Sequence, residues 1–362
     1  MKLMSIVGAR PQFVKLAAIH RALLKNPKLE HIIVHTGQHY DDNMSAIFFS
    51  QLEIPTPQYN LNIQTLPGGD SIKLMCAELV KLYNVERPDI IVVFGDTNST
   101  LAGAMAAHQK NTPLAHIEAG LRSFNSSMHE EYNRIETDKI STLLFCPTIA
   151  AVQNLAKEDL KLGSKVSFCG DVMFDNIRYY AQKTLLRGSI IKSIPGTGKY
   201  ALATIHRENN VTSPKILKQI INALNSINKD LRVIMPVHPR TRAAFVLVGV
   251  PTNFILIDPV GYLDMLQLIK NCELVLTDSG GLQKEAFFCK KMCVTLREET
   301  EWTELVQSGM NILAGTSTEG IVSAFEKARV SGLSFDQQFY GDGNAADIIT
   351  NEILQYLNED EA

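Results

Sequence analysis

Continuous runs of apolar and β-branched residues alternate along the chain with longer segments in which apolar residues recur at helical spacing. Runs of this kind are typical of parallel strands that are covered on both faces. The pattern predicts strands at 3–8, 31–37, 90–96, 114–120, 142–148, 165–171, 200–206, 232–238, 254–259, 273–278, 291–297 and 311–315. Because helical segments such as 214–227 and 262–272 separate these strands, the sequence predicts a doubly wound α/β fold.

One stretch, 188–199, interrupts this alternation with Gly, Pro and Ser and indicates a loop or linker. A length of 362 residues also favours two domains. We therefore predict two Rossmann-like lobes, residues 1–170 and residues 171–343. By pattern alone, a final helix at 344–357 fits either lobe.

Charge and hydropathy exclude several classes of protein. The chain has 35 Lys and Arg against 38 Asp and Glu, a net charge of −3, so no basic surface indicates nucleic acid or an anionic membrane as a partner. No window approaches the roughly 18 apolar residues that predict a membrane span. The six cysteines form no C-x-x-C pair and lie mostly in apolar runs, so we expect reduced, buried thiols in a cytoplasmic protein.

Polar residues cluster just after the predicted strands. In open α/β sheets, ligands bind beyond the carboxyl ends of the strands. The residues at these positions are Arg10, Gln38, His39, Asp96, Glu118, His206, His238 and the run 278–281. We therefore expect a cleft between the two lobes, with these side chains as candidates for its chemistry.

The segment TDSGGLQKEAFF (277–288) is the strongest local motif. Ser279, Gly280 and Gly281 stand where a strand turns into a helix, and free N–H groups at a helix N-terminus favour a phosphate. Glu285, about one turn later, is within reach of ribose hydroxyls. The alternative is a tight turn in which Asp278 or Ser279 caps the helix.

Basic residues at other strand ends favour anion binding. Arg10 could bind a phosphate oxygen, with Lys15 one helical turn further on, although a capped surface helix explains both equally well. His206 and His238 each have arginines nearby, which suggests an anion more than a metal. No H-E-x-x-H or H-x-E…C-x-x-C spacing supports zinc.

Neither of two glycine-rich stretches predicts a nucleotide cofactor. PGTGKY (195–200) has Tyr200 where a P-loop needs Ser or Thr, and GTGKYA (196–201) precedes a strand instead of following one. The sequence therefore predicts neither NAD nor another cofactor.

Acids and arginines accumulate in HIEAGLRSFNSSMHEEYNRI (116–135). Glu130, Arg134 and Asp138 are spaced to share one helix face, which a solvent-exposed ladder of ion pairs would also explain. That alternative does not explain Glu118, because an unpaired carboxylate at the end of an apolar strand is costly. Neighbouring carboxylates in a cleft suit acid–base chemistry.

Eight segments together resemble the non-hydrolysing UDP-N-acetylglucosamine 2-epimerases. In chain order they are GARPQFVK, GQHYDDNMS, GDTNSTLAG, HIEAGLRSF, HEEYNRI, HREN, HPRT and TDSGGLQKEA. The resemblance implies a GT-B-like fold of two Rossmann-like lobes with a cleft, a C-terminal helix that returns to the first lobe, and a homodimer. It also implies NAD-independent interconversion of UDP-GlcNAc and UDP-ManNAc through elimination and re-addition of UDP.

The same resemblance implies roles for matching residues. Asp96, Glu118 and Glu130 correspond to catalytic carboxylates and His206 to an essential histidine. The positions implied or expected to bind substrate are Arg10, Lys15, Arg134, His238, Ser279, Gly280, Gly281 and Glu285.

Some residues depart from the family pattern. His129 stands where a proline usually precedes the paired glutamates, and Glu208 to Asn210 shift an acid by one position. Trp302 replaces an expected arginine and resembles the branch that acts on UDP-2,3-diacetamido-2,3-dideoxyglucuronate. The stretch 38–45 differs from a sequence that binds an activating second substrate in some bacterial members. Hydrolysing 2-epimerases and GT-B glycosyltransferases are further alternatives.

Overall fold

The computed structural model describes residues 1–38, 49–63, 70–184, 188, 190–194 and 198–360. The chain divides into two compact units, one of Met1–Arg178 with Gln338–Ala362 and the other of Tyr179–Gln337. The boundaries of the predicted lobes, 1–170 and 171–343, differ from those of these units. The assignment of domains stays a prediction. His39 and residues 189 and 195–197 of the predicted linker lie outside the described residues.

The first unit is built on a parallel sheet with the strand order β3-β2-β1-β4-β5-β6-β7. Its strands are β1 (Lys2–Val7), β2 (Glu30–His35), β3 (Tyr59–Asn60), β4 (Ile90–Phe94), β5 (Leu114–Ile117), β6 (Leu143–Cys146) and β7 (Lys165–Phe168). Its helices are α1 (Arg10–Leu23), α2 (Asp70–Glu86), α3 (Asn98–Gln109), α4 (His129–Ile140), α5 (Ile149–Leu155) and α14 (Ala345–Asp360), together with the first residues of α6 (Val172–Lys183).

The second unit is built on a parallel sheet with the order β10-β9-β8-β11-β12-β13. Its strands are β8 (Tyr200–Thr204), β9 (Arg232–Pro236), β10 (Ile255–Ile257), β11 (Leu274–Thr277), β12 (Met292–Thr295) and β13 (Asn311–Leu313). Its helices are α7 (Glu208–Thr212), α8 (Pro214–Asp230), α9 (Pro239–Val248), α10 (Tyr262–Asn271), α11 (Gly280–Phe288), α12 (Thr303–Gln307) and α13 (Thr318–Val330), and the remainder of α6 belongs here.

Every predicted strand is present, and the predicted parallel α/β architecture is confirmed. Several predicted strands extend too far at the carboxyl end. The strand predicted at 90–96 stops at Phe94 because Gly95 has φ +66°, and the one predicted at 114–120 stops at Ile117 because Glu118 has φ +73°. These breaks create the loops that carry the candidate site.

Helix α8 illustrates how the sequence determines the packing. Ser213 caps it by accepting from the backbone N–H of Ile216, and Pro214 occupies the first turn, where its missing N–H costs nothing. Its buried residues, Leu217, Ile220, Ile221, Ala223, Leu224 and Ile227, recur at helical spacing and enter the core of the second unit.

Helix α14 returns to the first unit. The carboxylate of Asp175 accepts from the backbone N–H groups of Ala345 and Ala346, at 3.2 and 2.7 Å, and so caps the start of the helix. Lys25, two residues after the end of α1, forms an ion pair with Asp347. These contacts fix the start of the helix predicted at 344–357 beside α6 and the end of α1.

Two further expectations concern the whole chain. Among the described residues, no helix is both long enough and apolar enough to cross a membrane. The six cysteines are free thiols, and all but the partly exposed Cys289 are buried.

Candidate active site

Asp96 lies two residues after the end of β4, beyond Gly95, and two residues of α4 bind it. Its carboxylate forms an ion pair with the guanidinium of Arg134, from α4. Its backbone carbonyl accepts from the side-chain amide of Asn133 at 3.0 Å. The side chain of Asp96 keeps 28% exposure, so the carboxylate is fixed but accessible.

Glu118 follows β5 and lies beside the same turn. It has φ +73°, a left-handed conformation that is strained for a residue with a side chain and that recurs at functional sites. Its carboxylate forms a buried ion pair with Lys15 of α1. Gly95 follows β4 with φ +66°, and a Cβ there would lie 3.0 Å from Lys15 Nζ and 3.2 Å from Glu118 Oε2, so this position beside the pair favours glycine.

Arg134 joins the two acids. One guanidinium nitrogen binds the Asp96 carboxylate, and another donates to the backbone carbonyl of Glu118 at 2.5 Å. Because the side chain of Arg134 is only 5% exposed, the interpretation of α4 as a solvent-exposed ladder of ion pairs is wrong. The helix instead turns Arg134 and Asp138 inward.

The two adjacent glutamates of α4 have different surroundings. Glu130 is exposed in the first turn of the helix. Glu131 is 7% exposed, and its carboxylate accepts from the backbone N–H groups of Ser123 and Phe124 at 2.8 and 3.0 Å. Glu131 therefore fixes the loop between β5 and α4, a role that sequence reasoning missed.

Asp138 is the centre of a buried network below the acids. Its carboxylate binds His116, the backbone N–H of Gly120 and Arg122. Arg122 also forms a bidentate ion pair with Glu158. Burial alone would raise the pKa of Asp138, but His116 and Arg122 together lower it. Sequence reasoning missed His116, although a histidine inside a run of buried strand residues signals a satisfied polar group.

The start of α1 is fastened to the end of β4 by Gln12. Its carbonyl oxygen accepts from the backbone N–H groups of Gly8 and Ala9, at 2.8 and 3.0 Å, and its amide donates to the carbonyl of Phe94 at 3.0 Å. Arg10, the first residue of α1, is partly exposed there. This links the positions of Arg10 and Lys15 to that of Asp96.

In the second unit, Asp278 organises the loop after β8. The carboxylate is fully buried and accepts from the backbone N–H groups of His206 and Arg207 and from the amide of Asn210, at 3.0–3.1 Å. His206 Nδ1 also lies 3.2 Å from this carboxylate, while 57% of the side chain stays exposed. Asp278 is therefore not the cap of the next helix; Ser279 is, accepting from the backbone N–H of Leu282.

The N-terminus of α11 is closely packed at Gly280. A Cβ there would lie 3.3 Å from a carboxylate oxygen of Glu301 and 3.5 Å from Nε1 of Trp302. Gly281 follows in the first turn, and Glu285 is 7% exposed one turn later. The helix start thus presents its N–H groups beside a carboxylate and an indole.

Three cations surround that helix start. Arg297 Nη1 binds Glu301 at 3.1 Å, and Arg207 Nη2 lies 3.6 Å from the other oxygen of the same carboxylate. The ammonium of Lys284 lies 4.0 Å from the ring centroid of Trp302, a cation–π contact. Two arginines and a lysine therefore lie beside the N-terminus of α11, with the carboxylate of Glu301 between the arginines.

His238 occupies a less specialised position. It is the N-cap of α9, and its Nδ1 accepts from the backbone N–H of Arg240 at 3.4 Å while the side chain is exposed. The contact explains His238 as a helix cap.

Comparison with known proteins gives the family. The family model described as UDP-N-acetylglucosamine 2-epimerase matches residues 21–354. The chain belongs to this epimerase family. A UDP-2,3-diacetamido-2,3-dideoxy-D-glucuronate 2-epimerase of Pseudomonas aeruginosa is 45% identical over 359 residues, 99% of each chain. A UDP-N-acetylglucosamine 2-epimerase of Methanococcus maripaludis is 41% identical, covering 96% of this chain and 97% of its own.

Solved structures of this epimerase family agree with the fold. The epimerase of Methanocaldococcus jannaschii, in complex with UDP-GlcNAc and UDP, superposes with a TM-score of 0.90 at 39% identity, covering 98% of this chain and all of its own. The epimerase of Neisseria meningitidis bound to UDP-GlcNAc gives 0.87 at 29% identity, with 98% and 100% coverage. The GT-B-like fold expected from the sequence is confirmed.

Proposed function

We propose that the chain epimerises C2 of a UDP-2-acetamido sugar, converting UDP-GlcNAc into UDP-ManNAc without NAD. The observation that carries the proposal is the pair of acids, Asp96 and Glu118, joined by the guanidinium of Arg134, which binds the carboxylate of Asp96 and the backbone carbonyl of Glu118. Membership of the epimerase family and the UDP-sugar complexes of similar structures support the same substrate class.

The reaction needs a base, a leaving group and a second acid. One carboxylate takes the C2 proton while the bond between C1 and the diphosphate oxygen breaks, which yields UDP and a 2-acetamidoglucal. A proton then returns to C2 from the opposite face, and the diphosphate oxygen adds again to C1. Atoms and electrons balance without an oxidant, in keeping with the absence of an NAD fingerprint from the sequence.

Each candidate has a role that its surroundings suit. Lys15 compensates the charge of Glu118 in a buried pair, which suits a base kept in one orientation. Asp96 is fixed by Arg134 yet accessible, and Glu130 is exposed, so either could supply the second proton. Arg10 and Arg134 add positive charge that favours a phosphate.

We assign UDP to the strand ends of the second unit. Ser279, Gly280 and Gly281 offer the free N–H groups of the α11 N-terminus to a diphosphate. His206, anchored to Asp278 but largely exposed, is suited to stabilise charge on the departing UDP. Glu285 is assigned to the ribose hydroxyls, and the exposed His238 to a further phosphate or sugar contact.

A second substrate has a specific observation in its favour. The Pseudomonas relative at 45% identity is named for a diacetamido-glucuronate, and Arg297 and Arg207 provide cations that could bind a sugar carboxylate. Trp302 is 3% exposed and packs beside Gly280, so it would shape the part of the sugar site next to the N-terminus of α11. Comparing kcat/KM for both UDP-sugars in wild type and Trp302→Arg tests the choice. A wild-type preference for UDP-GlcNAc that the substitution leaves unchanged would eliminate this substrate.

The reaction itself is tested by incubating the protein with UDP-GlcNAc in D₂O. Deuterium at C2 with UDP still attached supports the proposal, whereas free sugar would indicate a hydrolysing epimerase and no exchange a transferase or binding protein. The cytoplasmic location expected from the cysteines and the homodimer implied by the family resemblance stay predictions.

A further inference from the structure

His116 lies in the middle of β5, is fully buried, and has an acceptor at each ring nitrogen. Its Nδ1 is 2.7 Å from a carboxylate oxygen of Asp138. Its Nε2 is 2.7 Å from the backbone carbonyl oxygen of Gly95, the residue before Asp96. Both distances are those of strong hydrogen bonds, so each nitrogen needs a proton between it and its partner.

Neither partner can supply that proton. A backbone carbonyl only accepts. The other oxygen of Asp138 accepts from the N–H of Gly120 at 3.1 Å and from Arg122 at 2.7 Å. Although burial acts in the opposite direction, His116 and Arg122 lower the pKa of Asp138, so its carboxylate is ionised and has no proton to give. A neutral imidazole would therefore point a lone pair at an oxygen lone pair on one side, whereas a ring with two protons satisfies both contacts.

The charges of the surrounding network agree with a protonated ring. Arg122 and a protonated His116 provide two positive charges, and Asp138 and Glu158 provide two negative charges. Cys146, on the neighbouring strand β6, stays a neutral thiol because burial raises its pKa. Among the described residues that bond to this network, the charges therefore cancel, which is the condition under which buried ions are tolerated.

We propose that His116 is a positioning residue that donates from both ring nitrogens and so sets the relative placement of Asp96 and Glu118. Through Nε2 it holds the Gly95 carbonyl and thus the turn that carries Asp96. Through Nδ1 it orients Asp138, which holds the N–H of Gly120, two residues beyond Glu118. One imidazolium therefore connects the two loops that carry the candidate acids.

The catalytic part of this inference rests on the proposed function, but the protonation part does not. A ring that only filled the core would need no second proton and could be replaced by another ring of similar size. A positioning ring requires both N–H groups, since an error of about 1 Å in the placement of reacting groups can cost on the order of 100-fold in rate.

The first test observes the ring directly in the wild-type protein. Histidine labelled with ¹⁵N in the ring is incorporated, and His116 is assigned from the signal that disappears in His116→Gln. At pH 8.5, where exposed histidines are neutral, we expect both nitrogens of His116 to carry protons. A neutral tautomer at that pH would overturn the proposal, and this measurement does not depend on any activity.

The second test separates positioning from packing. We expect His116→Phe to lower the rate of C2 exchange, as kcat, by about 100-fold, with KM changed less than about twofold. Because its amide still donates to one partner, His116→Gln should retain more activity than the phenylalanine variant. His108→Gln, at an exposed position on α3, is the matched control and should behave as wild type.

Two kinetic results contradict the proposal. One is a kcat within about twofold of wild type in both folded His116 variants. The other is an equal loss of kcat/KM in both variants that comes from a raised KM. If the wild type itself shows no C2 exchange, the proposed function fails instead. The ¹⁵N spectrum then decides the protonation of His116 alone. If His116→Gln does not fold, the ring is assigned in the wild-type spectrum through its couplings to the backbone of His116, and the same measurement decides.

Discussion

Lys15 and Glu118 form an ion pair in which each side chain is only 8% exposed. The two residues are far apart in the sequence, and their pairing joins the first turns of α1 to the end of β5. Removing one member of a buried pair leaves an uncompensated charge, which costs more than the pair contributes. The orientation of Glu118 and the local stability of the first unit therefore depend on the same contact.

Lys15→Met should destabilise the protein by about 3–5 kcal/mol, because the Glu118 carboxylate is left buried without its cation. Urea unfolding of the single variants and of Lys15→Met/Glu118→Gln measures this. We expect the double variant to be more stable than Lys15→Met alone, since the unpaired charge is gone. Additive losses would mean that the two side chains do not interact.

Asp96→Asn, Glu118→Gln and Glu130→Gln should each fold and lose C2 exchange by about 10²–10⁴-fold, the usual contribution of a general acid or base. Glu136→Gln is the matched control, because Glu136 lies on the same helix and only pairs with Lys139. Exchange rates followed by proton NMR measure the effect. Near-wild-type exchange in all three would remove the support for proton transfer by these groups, and a loss in only two would single out the dispensable acid.

Glu285→Ala should bind UDP more weakly than wild type, because Glu285 lies one turn into the helix assigned to the diphosphate. UDP should also raise the melting temperature of the wild type more than that of the variant, by mass action. Isothermal titration provides the affinities, and Glu326→Ala, at an exposed position on α13, is the control. Equal affinity of wild type and Glu285→Ala would move the nucleotide site elsewhere.

His31 should make the first unit sensitive to acid. Burial, followed by the nearby His20, lowers the pKa of His31 from 6.5 to about 3. Between these values the unfolded chain binds a proton that the folded chain does not, so this group's stabilisation is present above pH 6.5 and is lost as the pH falls towards 3.

His31→Gln should therefore show a shallower fall in unfolding free energy than wild type between pH 6.5 and 4, measured by urea unfolding across that range. His108→Gln, at an exposed position, should keep the wild-type slope. A variant slope equal to that of wild type would show that His31 is protonated equally in both states.

The sequence predicts more of the fold than of the candidate site. Parallel strands buried on both faces leave a continuous apolar signal, which is why the pattern predicted the long strands but missed β3, whose two residues, Tyr59 and Asn60, are too few for a pattern. Predicted strands extended too far at their carboxyl ends because a left-handed backbone conformation at a residue other than glycine, such as Glu118, leaves no mark in the sequence.

The contacts within the candidate site join elements that are far apart in the sequence, and the sequence alone does not predict such contacts. Position after a strand predicted Asp96 and Glu118 as candidates, but nothing in the sequence links Lys15 to Glu118. Adjacent residues on a helix differ by about 100° in direction, so the pattern could not tell which of Glu130 and Glu131 faces the loop at Ser123. That choice depends on backbone groups of a loop, which carry no sequence signal of their own.

The most direct test of the central claim is proton NMR of UDP-GlcNAc with the wild-type protein in D₂O, with the UDP-diacetamido-glucuronate run in parallel. We expect the C2 proton signal of one of these sugars to disappear as deuterium enters from solvent, the manno epimer to accumulate, and UDP to stay attached in both epimers. Retention of the C2 proton in both sugars throughout the incubation would contradict that claim.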